Sequence, residues 1–261
     1  EVGINDWITG AVQWAPGYNV YSKIDGMDKA TLADAADLFV GAKLQIVGPK
    51  APVQNETFRF AVAPGVKIPL SSPDWVTEAT NAGTGKDFLA GGADKHTFGF
   101  GGRGYFDYVI NEMFFLNLYT QFIYYPLAVD FKNANITAAG TWATIHAGDS
   151  TYNPTIMYGY DLTLEFEPHF NTMISDGLEL EAGVPVTYTM SPKEDVSGDT
   201  YAAYTPNPDT NLLTVGPNVS LFFQKTFLPI EVKVGYTLPL MGKNTESVNT
   251  LLLELKVYAK Y

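Results

Sequence analysis

The sequence predicts an all-β chain in which about ten antiparallel strands close into one barrel, a single domain spanning residues 1 to 261. Three observations carry this prediction. Long segments alternate apolar with polar side chains, the connections between them alternate short with long, and aromatic residues on the apolar face gather near the strand ends. The composition agrees. Aromatic residues make up 14% and charged residues only 17%, with 24 glycines and 16 prolines, which suits strands and turns better than helices. No run reaches about 18 apolar residues, which excludes a transmembrane helix, whereas a tilted strand crosses a bilayer with about 9–11.

The first strand runs from about Ile4 to Tyr21, with Ile8, Val12, Trp14, Tyr18 and Val20 on one face. A polar loop with one short helix follows, through SKIDGMDKATLADAAD. Asp37 to Val47 forms the second strand and Thr57 to Leu70 the third, where Phe58, Phe60, Val62, Val66 and Ile68 oppose Arg59, Gly65 and Lys67. After a long Ser-, Pro-, Asp- and Gly-rich loop over 71–95, the fourth strand spans His96 to Val109, and a tight turn at Ile110 and Asn111 gives a fifth ending near Tyr125. Residues 127–153, with ITAAGTWATIH inside them, read as one long excursion. The sixth strand, Pro154 to Pro168, and the seventh, Gly177 to Met190, carry a dense set of carboxylates on their polar face. The eighth is centred on Leu213 to Phe223 and the ninth on Leu228 to Leu238.

The last stretch, LLLELKVYAKY, puts Leu251, Leu253, Leu255, Val257 and Tyr261 on one face and Glu254, Lys256, Tyr258 and Lys260 on the other. An alternating final strand closed by an aromatic residue resembles the insertion signal of bacterial outer-membrane β-barrel proteins, here Leu253, Leu255, Val257 and Tyr261. The resemblance is to a class and implies a bacterial outer-membrane location with both termini periplasmic. It also implies outer-membrane lipid and a barrel-insertion machinery as partners. Two further features fit it. The connections near 50, 110, 172 and 226 are short and those near 28, 83, 140, 200 and 244 mostly long, as expected of short periplasmic turns and long external loops. The apolar-face aromatics fall into two girdles: Phe58, Phe106, Tyr108, Phe114, Phe166, Phe223 and Tyr261 at one end, and Tyr18, Phe98, Phe100, Tyr124, Tyr158, Tyr160 and Tyr188 at the other. AVAPGVKIPL, LEAGVPVTYT and VKVGYTLPLM share a pattern that suggests repeated hairpins. Glu1 reads as a mature N-terminus left after export.

A soluble β-sandwich or lipocalin-like barrel alternates in the same way, with its apolar face turned inward. Sequence does not say which way a face points. If the apolar face meets lipid, the polar face lines a lumen. There a basic wall of Lys43, Arg59, Lys67 and Arg103 faces an acidic wall of Asp161, Glu165, Glu167, Glu179 and Glu181. These charges predict either a narrow porin-like channel, whose transverse field orients small polar or charged solutes, or a plugged barrel whose charges pair across it. In the second case the loops do the work, with Trp75, Trp142, Tyr201 and Tyr204 as anchors. Glu231 with Lys233 and Glu254 with Lys256 are expected as structural pairs.

Catalytic chemistry finds little support. Absence of cysteine removes thiol nucleophiles, thiolate metal sites and disulfides. His96, Asp94, His146 and Asp149 adjoin one rim without any motif resembling the omptin proteases, and His169 beside Glu167 reads as a turn residue. No serine or histidine lies on the apolar face of a strand, as a barrel phospholipase would need. GFGGRG, Gly99 to Gly104, matches a dinucleotide fingerprint only formally, because an alternating strand surrounds it. The acidic group Glu194, Asp195 and Asp199 reads as a solvated loop. The expectation is a non-enzyme with no cofactor and no metal. A net charge of −12 argues against nucleic acid as a partner.

Overall fold

In the computed structural model the described residues are 2–14, 18–22, 30–34, 37–70, 95–130, 154–198, 208–245 and 248–258. Among them no helix occurs. The main sheet contains β1 (Val2–Asn5), β2 (Ile8–Trp14), β5 (Leu38–Gly48), β6 (Val53–Gln54), β7 (Phe58–Ile68), β8 (Gly99–Val109) and β9 (Phe114–Tyr125). It continues through β12 (Gly159–Ser175), β13 (Leu178–Gly183), β14 (Val186–Ser191), β16 (Thr210–Val215), β17 (Asn218–Phe223), β18 (Ile230–Lys243) and β19 (Thr250–Val257). Two small sheets lie apart from it: β3 (Tyr18–Ser22) with β4 (Ala30–Asp34), and β10 (Val129–Asp130) with β11 (Pro154–Met157) and β15 (Asp195–Gly198).

The architecture is therefore all-β with one large antiparallel sheet, broken among the described residues into 14 strands rather than about ten. Proline explains two of the extra segments. Pro185 separates β13 from β14 and Pro217 separates β17 from β16, at residues that lack the N–H a ladder needs. Both halves of each interrupted strand remain beside the same neighbours: β13 and β14 pair β12, while β16 and β17 pair β18. Gly216 N–H donates to Pro185 O at 2.8 Å, so the two breaks sit side by side. The remaining extra segments are β1, which folds back on β2, and β6, which runs parallel to the end of β5. The expected helix after the first strand is also corrected: Ala30–Asp34 is strand, paired with Tyr18–Ser22. The sixth strand runs on to Ser175, beyond the expected stop at Pro168. No ladder among the described residues joins β1 or β2 to β19, so the ladders do not themselves close the barrel.

The ladders place the turns at 49–57, 110–113, 176–177 and 224–229 at one end of the sheet, here the turn rim, and the other connections, longer except for 244–249, at the opposite end, the loop rim. A repeated device starts strands at the turn rim. Asn5 Oδ1 accepts from the N–H groups of Trp7 (3.0 Å) and Ile8 (2.8 Å), Asn55 from Thr57 (2.9 Å) and Phe58 (2.8 Å), and Asn111 from Met113 and Phe114 (both 2.9 Å). Each asparagine binds the amides two and three residues ahead. The chain is thereby turned before β2, β7 and β9 begin.

The direction of the two faces is settled by exposure. Leu251, Leu253 and Leu255 are 72%, 76% and 66% exposed, and Phe100, Phe122, Phe166, Val219 and Val234 are exposed as well. On the opposite face Ser220 is 2% and Glu231 8% exposed. The sheet curls around this polar face. Arg103 on β8 hydrogen-bonds Gln13 on β2, although β5 and β7 lie between them, and the Phe222 and Tyr258 rings meet at 5.2 Å across β18. The apolar face is thus convex and outward, the reverse of a soluble barrel.

Replacing Asn111 by Ala removes two exposed hydrogen bonds at the start of β9. It should cost about 0.5–1.5 kcal/mol in a urea titration of the refolded protein, while Asn111→Asp should cost less because a carboxylate still accepts.

Candidate functional site

Alternation fixes which side chains reach the concave face, and curvature decides which of them meet. Across β5, β7, β8, β9 and β12 the register runs Phe39–Lys67, Ala63–Arg103–Gln121–Thr163, Ala61–Tyr105–Tyr119–Glu165 and Arg59–Asp107–Asn117–Glu167. Ala61 and Ala63 are small, so β7 contributes little bulk. A cavity of about 610 Å³ opens over Ala63, lined by Gln13, Phe39, Lys43, Arg103, Tyr105, Asp107, Asn117, Tyr119, Glu165 and Glu167 among others.

Arg103 is held in place by neutral partners. Its Nε donates to Gln121 Oε1 at 2.9 Å, another donor reaches Gln13 Oε1, and the guanidinium carbon lies 4.0 Å from the centre of the Phe39 ring. The ring itself needs Gly65 on β7: a Cβ there would stand 2.3 Å from Phe39 Cζ. Lys43 lies over the Tyr105 ring at 4.4 Å, and Tyr105 packs on Tyr119 with ring centres 5.4 Å apart. On the acidic side Thr187 donates to Glu165 at 2.8 Å and Asn218 to Glu167 at 3.3 Å.

Of the expected walls, Lys43 and Arg103 share this cavity with Glu165 and Glu167. The others lie elsewhere. Arg59 is exposed near the turn rim, in register with Asp107. Lys67 pairs with Asp37 at 3.0 Å. Glu179 accepts from Gln224 at 2.6 Å and Glu181 from Ser220 at 3.3 Å, on the next strands round. Asp161 belongs to a closed network at the loop rim, accepting from Lys95 (2.8 Å), Ser191 (2.6 Å) and Tyr125 (2.9 Å). Lys95 is further seated over the rings of Tyr125 and Tyr158 at 4.8 and 5.3 Å.

That network sits against an apolar cluster on the concave side: Phe39, Ile123 and Tyr125, with Tyr158 packed on it. Tyr158 was expected in the outward girdle. Gly159, with φ of 76°, interrupts the alternation between β11 and β12 and lets the ring turn inward. Among the described girdle aromatics, Phe58, Phe114, Phe166 and Phe223 toward the turn rim and Phe98, Phe100 and Tyr124 toward the loop rim are exposed, and Phe58 packs against Phe106 and Tyr108.

Of the expected structural pairs, Glu254 with Lys256 forms, while Glu231 pairs with Lys256 in place of Lys233. Lys256 binds both Glu231 (3.2 Å) and Glu254 (3.4 Å), and Tyr258 O–H donates to Glu231 at 2.6 Å. His169 is a strand residue of β12, not a turn residue. Its ring stands edge-on to Phe115 with centres 4.5 Å apart, Nε2 lies 4.0 Å from Glu181, and Nδ1 is buried with no partner among the described residues. GFGGRG falls in β8 from Gly99, without a helix. At the loop rim, the hydrogen bond from Lys243 holds the Asp209 carboxyl below the usual carboxylate range. This exposed attraction is present at neutral pH and is lost as pH falls through that lowered value.

Among the described residues no group of three acidic or histidine side chains is arranged to hold a metal ion. Asp94, His146, Asp149 and Asp199 lie outside the described residues, as do Trp75, Trp142, Tyr201, Tyr204, Tyr261 and the segment 136–146. The fold and this concave surface define a class no finer than an all-β protein with one large antiparallel sheet. No protein-family model, curated protein or solved structure matches the chain.

Asp161→Ala strands the donors of Lys95, Ser191 and Tyr125 and should lower stability by about 1.5–3 kcal/mol in urea unfolding. Lys95→Met should cost less, since Ser191 and Tyr125 still bind the carboxylate.

Proposed function

We propose that this chain is a bacterial outer-membrane β-barrel that lets small polar or charged solutes pass through a narrow, charge-lined interior. The observation that carries the reading is the inverted sidedness of the sheet. Its large apolar side chains are exposed on the convex face, while its charges and hydrogen-bonding groups converge on the concave one. Water disfavours so extensive an apolar surface, whereas hydrocarbon accepts it, and a curled, internally hydrogen-bonded sheet satisfies its backbone without water. The outward aromatics toward both rims fit the two interfaces of a bilayer. On this reading β19 meets the β1–β2 hairpin to complete the wall, and the insertion segment is Leu253, Leu255, Val257 and Tyr261. The chain would be a non-enzyme without a cofactor.

Passage runs through the 610 Å³ cavity, whose Lys43 and Arg103 stand on one side and Glu165 and Glu167 on the other. Such a field orients a solute and discriminates by charge. A second reading is favoured by one observation: Phe39, Ile123 and Tyr125 fill part of the concave face near the loop rim. If they block it, the barrel is closed and its external loops bind a partner.

Recording from the refolded protein in a planar bilayer under a salt gradient separates the two. Unitary current steps with a reproducible reversal potential support passage, and verified insertion without conductance replaces it with the closed barrel. Replacing Glu165 and Glu167 by Gln should move the reversal potential toward anion selectivity, and Arg103→Gln toward cation selectivity.

The membrane setting has its own test. Leu164 is exposed on the convex face in the middle of β12. Leu164→Arg should destabilise the folded protein in phospholipid vesicles by about 2–4 kcal/mol. An effect within about 0.5 kcal/mol, as for an ordinary water-exposed position, would remove the basis for placing that face in lipid.

A further inference from the structure

Elsewhere on the concave face several charges find opposite charges, although Glu179 and Glu181 accept from Gln224 and Ser220. Lys95 reaches Asp161, Lys67 reaches Asp37, and Lys256 reaches Glu231 and Glu254. Around the main cavity no ion pair forms among the described residues, and Asp107, on the strand that carries Arg103, adds a third carboxylate to its lining. Among the described residues no ion pair includes Lys43, Arg103, Glu165 or Glu167. Each of these is oriented instead by a neutral neighbour: Lys43 by the Tyr105 ring, Arg103 by Gln121, Gln13 and the Phe39 ring, Glu165 by Thr187, and Glu167 by Asn218. Such partners fix a charge in position without neutralising it. Holding unneutralised charges of both signs around one cavity is costly unless something else completes them.

We propose that this cavity is a binding site for small zwitterions carrying an amine and a carboxylate on one skeleton. The carboxylate meets Arg103 and Lys43, and the ammonium meets Glu165 and Glu167. Arg103 on β8 and Glu165 on β12 are separated by β9 and offset by two residues in register, so their backbones stand about 12 Å apart along the sheet. The Arg103 guanidinium is directed toward Gln13 and Phe39 and the Glu165 carboxylate toward Thr187, so a molecule meeting both carries its two charges several bonds apart. The Tyr105 and Tyr119 rings lie between the two charged sides in the register and give the carbon skeleton an apolar surface. A cavity of about 610 Å³ holds a ligand of this size with water. A cation or an anion alone would satisfy one side and face like charge on the other.

This inference names the solute class for the passage proposed above and relies on that reading only for how the solute arrives. Isothermal titration of the refolded full chain with three probes of one skeleton tests it: 6-aminohexanoate, hexanoate and hexylammonium. The zwitterion should bind at least ~10-fold more tightly than either single ion. Arg103→Gln and Glu165→Gln should each weaken it by ~10-fold, and Arg103→Lys by less. Equal binding of the three probes to the unaltered protein would overturn the proposal without any variant having to fold. A preference unmoved by both glutamine variants would overturn it too, placing the ligand elsewhere. Bilayer recordings on the same preparation keep the two claims apart. Conductance without zwitterion preference removes only this inference, and zwitterion binding without conductance removes only passage.

Discussion

A sheet that curls around its polar face brings together side chains whose backbones are several strands apart, and every group on that face must be accommodated by the others. Arg103 and Gln13 meet across two intervening strands, and Phe222 and Tyr258 across one. From this convergence follow the ring of Phe39 laid over Gly65, the small side chain of Ala63, and the cavity above it. Strand pairing alone would give the same ladders in a flat sheet. Only curvature makes a common interior of them.

The two rims and the middle of the concave face solve the problem of charge differently. Near the loop rim Asp161 takes three donors and Lys95 is bracketed by carboxylate and aromatic rings, a satisfied network backed by Ile123 and Tyr125. On the far side of the sheet, Lys256, Glu231 and Tyr258 form another. Between these, the cavity residues are braced by amides, hydroxyls and rings. Bracing of this kind keeps a side chain where it is and leaves its charge to act on whatever enters. The satisfied clusters stiffen the sheet, and under the proposed binding the charges without ion pairs are the ones a ligand meets.

Turning the apolar face outward has a matching cost. An aqueous surface with so many exposed leucines, valines and phenylalanines loses the burial energy that stabilises soluble folds, about 25 cal/mol for each Å² left in water. A bilayer removes that loss, which is why the sidedness supports the proposed membrane setting. The asparagine turns then matter for geometry. At the turn rim they launch β2, β7 and β9 in the same way, without long connections.

Period-two alternation is a local property of the chain, and it was legible. Most strand positions, the two faces and the discounting of GFGGRG follow from it, but the first strand, expected over Ile4 to Tyr21, is split, with Tyr18–Ser22 in a separate sheet. The asparagine turns had a sequence signature too, an asparagine three residues ahead of a strand's first apolar residue, at Asn55 and Asn111. Local breaks were partly hidden. Pro185 and Pro217 split strands that alternation reads as continuous, and Gly159 turns Tyr158 inward because a positive φ shifts the facing of what precedes it. Site composition was not legible from one strand at a time. Sequence named nine wall charges, but only the tertiary structure brought Lys43, Arg103, Glu165 and Glu167 together and sent Lys67, Asp161, Glu179 and Glu181 to other partners. Which residues alternate depends on neighbours along the chain. Which way the sheet curls, and so which charges face one another, depends on contacts between residues far apart in sequence.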